Sequence, residues 1–459
     1  MIRRMYLAVA LLLVLSPITA FAHGGLGHIQ VTAWAAENLP EGELRTFLAQ
    51  PEIFNSLLFG AAYTDIGYYP GLPEPELVRA LAEYSHWTPF TKSFIDWIVE
   101  NDPPPWTTLE SRKRVAFLIG NAAHGLQDEV FDSLFLDQVS HHDGAGQPEA
   151  DPATDGFLAI DALIGLVPKE GVPVSALLDL YNSSGELEKE VTEDLLLDCV
   201  HAMAGFYIDK DAGPALATIA ANRLMDVLIW TRDNYMNPDV PGSLHAEVWP
   251  TMQYMEAIWK QLNGTYGDDD VIMFSFPEPE RRMRSHVAGP PDSWVSVLFS
   301  TGVNFGAMSP VWKDSEDNEV SYELDGHQWG GDLTRIMRIK PTEDLTPGGN
   351  YTLSLNETDV PAVDDTSWNL SLEMAFQVAC DESNADDCPD TGEAPEARLD
   401  GAADYQAEWT DETSWEEEVP EPEPEEESGC VAMGVNLNGF LLLMGLGLLM
   451  RRRRSQPHA

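Results

Sequence analysis

Hydrophobic residues recur with helical spacing through the first half of the chain. The most apolar helical pattern covers residues 114–137 and reads RVAFLIGNAAHGLQDEVFDSLFLD. His124, Asp128 and Asp132 follow one another at intervals of four, so a continuous helix places their side chains on one face. Because most other positions are apolar, the pattern predicts a buried helix whose carboxylates need partners such as metal ions. The alternative is a helix whose single polar face meets solvent.

Helical patterns continue to about residue 262, and from residue 268 the period changes. Short alternating runs, among them VIMFSF, WVSVLFS and TRIMRIKP, predict a β-sandwich. The segment LTPGGNYTL resembles the L-x-P-G-x-x-Y-T-L sequence of bacterial Ig-like modules, which serve as spacers or adhesive units. The predicted fold is multidomain: an all-α helical domain over residues 23–265, followed by an all-β Ig-like sandwich over residues 268–380.

The amino-terminal residues predict export. Two arginines precede an apolar run and an A-x-A sequence that ends at Ala22, so residues 1–22 are typical of a signal peptide. Its removal would make His23 the first residue of the exported protein. Export permits disulfides, and Cys380 and Cys388 are close enough in sequence to form one. Cys199 lies in an apolar helical run and is predicted to be a buried thiol.

The carboxyl-terminal residues predict attachment or processing. Residues 381–429 are rich in Glu, Pro and Asp, which indicates a disordered, self-repelling linker. Residues 430–454 comprise Cys430, an apolar helical stretch over residues 431–450 that could span a membrane, and an arginine run. This segment resembles the myxobacterial type of sorting tail, which a membrane protease cleaves near a Gly-Cys. A permanent transmembrane anchor is the alternative, and either outcome places the protein at the cell surface or in the secreted fraction.

Charge narrows the choice of partners. The chain has 26 Lys and Arg against 76 Asp and Glu, and its net charge at pH 7 is −50. Such acidity argues against a broad electrostatic surface for nucleic acid or anionic membranes. No obligate protein partner is inferred from the sequence, apart from the protease that would process the tail.

Histidines and aspartates of the first 155 residues form a candidate ligand set. His23 and His28 begin and end the sequence HGGLGH, and the α-amino group of His23 could chelate a metal ion once deprotonated. Taken singly, the other candidates have structural explanations such as a turn, a helix cap or a solvated loop. Together they supply the nitrogen and oxygen ligands that zinc favours, which predicts a site for two or three metal ions. The set is His23, His28, Asp65, His86, His124 and Asp128.

The same residues resemble the zinc-dependent phospholipase C superfamily, which includes the single-strand-specific zinc nucleases. In the nuclease branch a terminal Trp binds zinc and a His follows five residues later; HGGLGH keeps that spacing with His23 in place of Trp. The likeness is nearest to the catalytic domains of glycosylphosphatidylinositol phospholipases D. It covers roughly residues 27–207 through HWTPF, PPPW, KRVAFLIGNAAHGLQDEVFDSLFLDQ and, more faintly, LLLDCVHAMAGFY.

The resemblance implies metal-assisted hydrolysis of a phosphodiester by two zinc ions. Asp128 would bridge the two ions, and Asp65 would be a ligand and general base. The remaining ligands implied are His86 and His124 for one ion and His23 and His28 for the other.

A third zinc site of the family falls by position on Asp132, Asp151 and Asp155. Two of these aspartates replace histidines of the family. All-oxygen ligands suit magnesium, calcium or manganese better than zinc. The site could equally be empty or rearranged, or His141 or His142 could take part through a shifted loop.

Three functions follow as alternatives. The first is an exported phospholipase C- or D-type hydrolase acting on phospholipid. The second is a nuclease-like phosphodiesterase specific for single strands, which would need positive charge and aromatic stacking surfaces. The third is a non-catalytic, adhesive surface protein with a degraded metal site, for which the aspartates at positions 132 and 151 are the main argument.

Overall fold

The computed structural model describes residues 25–69, 72–160, 172–208, 224–279, 281–326, 333–363 and 366–381, together with Ala397 and Leu399. The predicted signal peptide, His23, Cys388 and the C-terminal segment lie outside these residues, as does nearly all of the predicted linker. Within the described residues, a helical region precedes a pair of β-sheets.

The helical region begins with short helices that surround one long helix. A 3-10 turn at Thr64–Tyr68 follows α3, and a π-helical turn at Phe131–Phe135 follows α6. The helices are α1 (Gly25–Asn38), α2 (Glu43–Leu48), α3 (Pro51–Tyr63), α4 (Pro75–His86), α5 (Thr88–Asn101), α6 (Leu109–Val130), α7 (Leu136–Asp143), α8 (Gln147–Ile160), α9 (Val174–Ser183), α10 (Glu193–Ile208), α11 (Ile229–Asn234) and α12 (Val248–Leu262).

Helix α6 is the centre of the helical core. The Thr108 hydroxyl accepts a hydrogen bond from the Ser111 amide at 3.1 Å and so caps its first turn. Every residue of α6 from position 115 to position 130 is buried. Helix α3 packs on it backbone to backbone: a Cβ atom on Gly60 would lie 2.1 Å from the Phe117 carbonyl oxygen, and one on Gly120 would lie 1.8 Å from the Leu57 carbonyl oxygen. Only glycine permits this approach.

The pattern predicted one continuous helix over residues 114–137, but the structure inserts the π-helical turn within it. Phe131 and Phe135, at its two ends, pack in an apolar cluster with Trp34 of α1. The turn also receives Gly242, where a Cβ atom would lie 2.7 Å from the Phe135 amide nitrogen. A π-helical turn contains more residues than an α-helical turn, so the regular α-helical spacing of His124 and Asp128 does not continue to Asp132.

Two four-stranded sheets form the second region. One has the order β1-β3-β6-β5 with antiparallel neighbours, and the other has the order β2-β8-β7-β4, in which only the β2–β8 pair is parallel. Side chains of both sheets enclose a core that includes Val297, Trp312, Met337 and Leu353. The strands are β1 (Ile272–Phe276), β2 (Arg282–Met283), β3 (Val295–Asn304), β4 (Val311–Asp314), β5 (Tyr322–Gly326), β6 (Leu333–Pro341), β7 (Asn350–Pro361) and β8 (Ser367–Val378).

The β1-β3-β6-β5 sheet also contributes to the helical core. Phe276, Leu298 and Ile336 are buried in the same apolar cluster as the residues of α6. Ile336 therefore faces the helices, whereas Met337, its neighbour in β6, faces the other sheet. The two regions of the chain thus share buried apolar surface.

Two of the cysteines and a small part of the predicted linker lie among the described residues. Cys199 is buried and free, and Cys380 is disulfide-bonded. Leu399, in the segment predicted to be a linker, accepts a hydrogen bond from the Trp34 indole nitrogen at 2.6 Å. Across the described ranges, no helix combines the length and apolar character that crossing a membrane requires. The apolar segment over residues 431–450 lies outside the described residues.

Candidate metal centre

Five of the predicted ligands meet in the interior of the helical region. They come from four segments: α1, the 3-10 turn after α3, the last residue of α4, and α6. None of their side chains has more than 6% of its surface exposed. The five residues are His28, Asp65, His86, His124 and Asp128.

The carboxylate of Asp128 lies between two groups of imidazoles. Its Oδ1 atom is 3.0 Å from Nε2 of His28. Its Oδ2 atom is 3.2 Å from Nε2 of His86 and 3.2 Å from Nε2 of His124. Each oxygen of one carboxylate thus faces different nitrogen donors, which is the arrangement a bridging ligand requires.

Asp65 approaches the same histidines from the 3-10 turn. Its Oδ1 atom is 3.6 Å from Nε2 of His86 and 3.8 Å from Nε2 of His124. Two overlapping triads result, each with its ligand atoms within 4.8 Å of one another: one combines His28, His124 and Asp128, and the other combines Asp65, His86 and His124. His124 belongs to both.

Hydrogen bonds of the opposite ring nitrogen fix the orientation of each imidazole. Nδ1 of His86 donates to the Ala82 carbonyl at 2.7 Å, and Nδ1 of His124 donates to the Ala61 carbonyl at 2.5 Å. Because a carbonyl oxygen can only accept, Nδ1 carries the proton in both rings, and the lone pair of the neutral ring is on Nε2. Nε2 is the atom that faces the carboxylates.

The third ring is oriented by a side chain. Nδ1 of His28 lies 3.0 Å from Oε1 of Gln127, whose amide nitrogen donates to the Thr32 hydroxyl at 3.0 Å. The rings of His28 and His124 stack, with centroids 3.7 Å apart. Sequence reasoning missed Gln127, although its position next to Asp128 in the central helix was a signal.

Close backbone contact brings His86 to the helix that carries His124. A Cβ atom on Gly125 would lie 2.0 Å from the His86 carbonyl oxygen, so any other residue would separate the end of α4 from α6. The glycine after His124 is therefore a packing requirement of the centre.

Burial and mutual charge shift the titration of these groups. Burial opposes the charged form of His86, but the nearby carboxylates of Asp65 and Asp128 raise its pKa to about 9. Burial and the adjacent His28 lower the pKa of His124. Burial alone would raise the pKa of Asp128, but His124 and His28 hold it well below the usual range. Without a cation, the centre therefore retains a proton on His86 at neutral pH, and metal binding must displace it.

The donor set fits a divalent cation on chemical grounds. Neutral Nε2 atoms and ionised carboxylate oxygens are all acceptors, so their convergence is unfavourable unless a proton or a cation lies between them. Imidazole with its second nitrogen bound to a carbonyl is a common form of metal-ligating histidine. The residues present suit a cation such as zinc, which accepts nitrogen and carboxylate ligands.

The residues of the predicted third site lie in two neighbouring segments. Asp132 is half-buried in the π-helical turn, and α8 holds the buried Asp151 and the half-buried Asp155. The Gly27 amide donates to Oδ1 of Asp155 at 2.9 Å, which places this carboxylate beside the start of α1. Among the described residues, the compact groups of three candidate ligands do not include these aspartates.

Burial is the main cause of the raised pKa values among the third-site carboxylates, which form the carboxylate side of the centre. It raises the pKa of Asp132 to about 8, with a further increase from the charge of Asp128. It raises the pKa of Asp155 to about 7 against the hydrogen bond from Gly27. Burial and the charges of Asp128 and Asp132 also raise the pKa of Glu247, which sequence reasoning missed because it lies in the irregular sequence before α12.

The other candidates are placed as follows. His142 stacks on Trp230 with ring centroids 4.6 Å apart, and its Nε2 lies 3.0 Å from Oδ2 of Asp292 in the β region. His141 is exposed at the end of α7. Neither belongs to the triads of the centre. His23 lies outside the described residues.

Comparison with known proteins gives a partial likeness. No protein-family model matches the chain. The human phosphatidylinositol-glycan-specific phospholipase D is 28% identical over 145 residues, which are 29% of this chain and 17% of that protein. Its mouse counterpart is 30% identical over 153 residues, 31% of this chain and 17% of that protein. The chain thus spans less than a fifth of the length of these curated relatives.

A solved structure matches part of the chain. CopC from Methylosinus trichosporium OB3b is 20% identical, covers 24% of this chain and 95% of its own, and aligns with a TM-score of 0.19. At that score the likeness carries no argument about function.

Proposed function

We propose that this protein is an exported, metal-dependent phosphodiester hydrolase of the phospholipase C or D type. The observation that carries the proposal is the position of the Asp128 carboxylate, whose two oxygens face different histidines within 3.2 Å. The low-identity likeness to phosphatidylinositol-glycan-specific phospholipases D supports the same reaction class. Fold and function are separate questions, so the proposal rests on the site.

The proposed centre would hold two zinc ions. Asp128 would be shared, with Asp65, His86 and His124 on one side and His28 on the other. The terminal amine and imidazole of His23 would complete the second set. Bound divalent cations supply Lewis-acid activation of a phosphate group and lower the pKa of a coordinated water molecule.

The protein's own groups would perform the remaining steps. The Nδ1 hydrogen bonds of His86 and His124 would keep their Nε2 lone pairs directed at the centre. Asp65, whose Oδ1 lies farther from the imidazoles than the oxygens of Asp128, would act as a ligand and as the general base that accepts a proton from water. Burial of the side chains excludes bulk water and strengthens these interactions.

The substrate is proposed to be a phospholipid. The printed activity of the relatives concerns phosphatidylinositol-glycan, and a chain with net charge −50 is poorly suited to bind a polynucleotide. The carboxylates at positions 132, 151 and 155 would accommodate a hard divalent cation such as magnesium, calcium or manganese more readily than a third zinc ion.

One experiment tests the proposal against its rivals. The exported, processed protein is incubated with a phosphatidylinositol-glycan substrate, phosphatidylcholine vesicles, single-stranded DNA and bis(p-nitrophenyl) phosphate, each with and without chelator. We expect chelator-sensitive cleavage of phospholipid. Diacylglycerol as product indicates a C-type reaction, and phosphatidic acid indicates a D-type reaction.

Variants give the experiment its control. Asp65→Asn should abolish cleavage, whereas Asp96→Asn, at an exposed carboxylate paired with Lys92 in α5, should not change it. Cleavage of DNA alone would favour the nuclease. No cleavage by a protein with bound zinc would favour the non-catalytic surface protein.

A further inference from the structure

A buried ion pair joins the β-sandwich to the helix of the metal centre. Nε of Arg335, in β6, lies 2.9 Å from Oε2 of Glu129, in α6, and Nη2 lies 2.9 Å from Oε1. The exposed fractions of the two residues are 1% and 5%. The contact is therefore bidentate and shielded from water, which fixes the geometry of both side chains.

The same guanidinium contacts the backbone of α6 between two proposed ligands. Nη2 donates to the Gly125 carbonyl at 2.8 Å, and Nη1 donates to the Tyr254 hydroxyl at 2.9 Å. Gly125 directly follows His124, and Glu129 directly follows Asp128. Arg335 thus binds both ends of the single helical turn that carries these two residues.

An irregularity of the sheet directs Arg335 toward the helices. Regular alternation along β6 would place Arg335 on the same face as Met337, which packs inside the sandwich. Instead, the pairing of β3 with β6 shifts register across Arg335, between Ile336 and Thr334. The Thr334 hydroxyl donates to the Ile336 carbonyl at 2.9 Å and accepts from the Ile336 amide at 3.0 Å. Such interruptions characteristically redirect one side chain.

The position of this ion pair matters because a buried ion pair is weak evidence of a contribution to stability. A buried ion pair costs desolvation, and apolar residues of similar size often serve stability equally well. The turn that Arg335 contacts also packs against His86, because a Cβ atom on Gly125 would lie 2.0 Å from the His86 carbonyl oxygen. A displacement of this turn would therefore move three proposed ligands together.

We propose that Arg335 is a positioning residue for the metal centre, and that the β-sandwich is part of that centre's support. This inference rests on the proposed function, since it assumes that His86, His124 and Asp128 bind a cation. Residues that orient ligands without touching the metal typically change metal affinity by about 10- to 100-fold when replaced.

Cobalt binding to the full exported chain tests the inference without an assay of activity. Dissociation constants are measured by competition with a chelator, and the visible absorption spectrum of bound Co²⁺ reports ligand geometry. The variants are Arg335→Lys, which keeps the charge but loses the planar fork, and the double variant Arg335→Met/Glu129→Leu, which replaces the pair by apolar groups. The matched control is Arg338→Gln, because Arg338 of the same strand also crosses to the helices, where it contacts the Ser133 carbonyl at 2.9 Å and Asp137 at 2.7 Å.

The expected results separate positioning from simple structural support. Arg335→Lys should bind Co²⁺ about 10-fold more weakly with an altered spectrum. The double variant should recover the thermal stability of the unmodified chain but not its Co²⁺ affinity. Arg338→Gln should lower stability with an unchanged spectrum.

Two results would overturn the inference alone, and a third would overturn the proposed metal centre as well. If every variant bound Co²⁺ as tightly as the unmodified chain, Arg335 would have no positioning role, although the metal centre itself would stand. If the affinity of the double variant recovered together with its stability, the ion pair would be structural only. An unmodified chain that bound no Co²⁺ would instead refute the proposed metal centre and, with it, this inference.

Discussion

Two groups of carboxylates, Asp128 on the histidine side of the centre and the predicted third-site residues on its carboxylate side, differ in how their charge is balanced. On the histidine side, imidazoles lie within 3.2 Å of the Asp128 oxygens, and they hold the pKa of Asp128 well below the usual range. On the carboxylate side, burial raises the pKa of the half-buried Asp132 to about 8 and that of the half-buried Asp155 to about 7. The imidazoles in contact with Asp128 thus keep it ionised, whereas burial favours the protonated forms of Asp132 and Asp155.

This difference shows that burial alone does not make a metal ligand. A carboxylate beside imidazoles is already ionised and can accept a cation without first losing a proton. A carboxylate among carboxylates keeps its proton until a cation of sufficient affinity displaces it. On the histidine side a cation therefore competes with the proton of His86, whereas on the carboxylate side it competes with the protons of the carboxylates themselves.

Removing the shared negative charge should have the largest effect. We expect Asp128→Asn to weaken metal binding at both triads by more than about 100-fold, because the amide cannot neutralise two cations. Metal content of the purified protein, measured by mass spectrometry at matched pH, checks this. Asp132→Asn is the control and should lose much less. Equal metal content in Asp128→Asn and the unmodified chain would contradict the bridging role.

Blocking the predicted amino terminus should have the next largest effect. If the α-amino group of His23 is a ligand, a chain with extra residues before it should lose one zinc equivalent and most activity. Removing the extension with a site-specific protease should restore both, which controls for misfolding. Unchanged zinc content in the extended chain would exclude His23 from the centre.

Replacing two aspartates of the carboxylate side by histidines should give this side nitrogen ligands and a higher zinc content. The variant Asp132→His/Asp151→His restores the histidines of the resembled family, and we expect it to bind about one additional zinc equivalent. Asp132→Asn/Asp151→Asn removes the same charges without providing imidazoles and serves as the control. If zinc content rose in both variants, the loss of repulsion between carboxylates, rather than the new imidazole ligands, would be responsible.

The smallest effect concerns the pH dependence of stability in the metal-free protein. Asp132 has a pKa of about 8 in the folded state, far above that of an ordinary carboxyl, so the folded protein binds more protons than the unfolded chain between about pH 4 and pH 8. Its stabilising contribution is complete below pH 4 and is lost as the pH rises through 8.

Urea unfolding in the presence of chelator measures this dependence. Asp132→Asn should reduce the loss of stability by up to about 1.4 kcal/mol per pH unit over that range. The exposed substitution Asp96→Asn should leave the slope as it is. An unchanged slope in Asp132→Asn would mean that Asp132 is ionised in the folded protein.

Sequence spacing predicted the local part of the centre. His124 and Asp128 are one α-helical turn apart, and their helix is regular and buried up to Val130. The same spacing predicted regular α-helix through Asp132, where the structure has a π-helical turn that packs against Gly242, a residue distant in sequence. Local periodicity contains no information about such contacts.

Contacts between ligands from different segments could not be predicted from local spacing. The approach of His28, Asp65 and His86 to α6 depends on helix packing, and only the family resemblance linked these residues beforehand. Arg335 could not be identified at all, because alternation along β6 assigns it to the sandwich interior. The region predicted to be a spacer or adhesive unit supplies a buried guanidinium group to the helix that carries the ligands.

The paired glycines of α3 and α6 have a consequence for redesign of this protein. The segment from Gly60 to Asp65 and the segment around Gly120 are in contact through main-chain atoms. The Ala61 carbonyl accepts a hydrogen bond from Nδ1 of His124. The spacing between Asp65 and His124 is therefore set by backbone atoms that have no rotamers. Surrounding apolar side chains can be exchanged and the ligands replaced to suit another metal, but a single methyl group on either glycine would separate the two helices and the ligands with them.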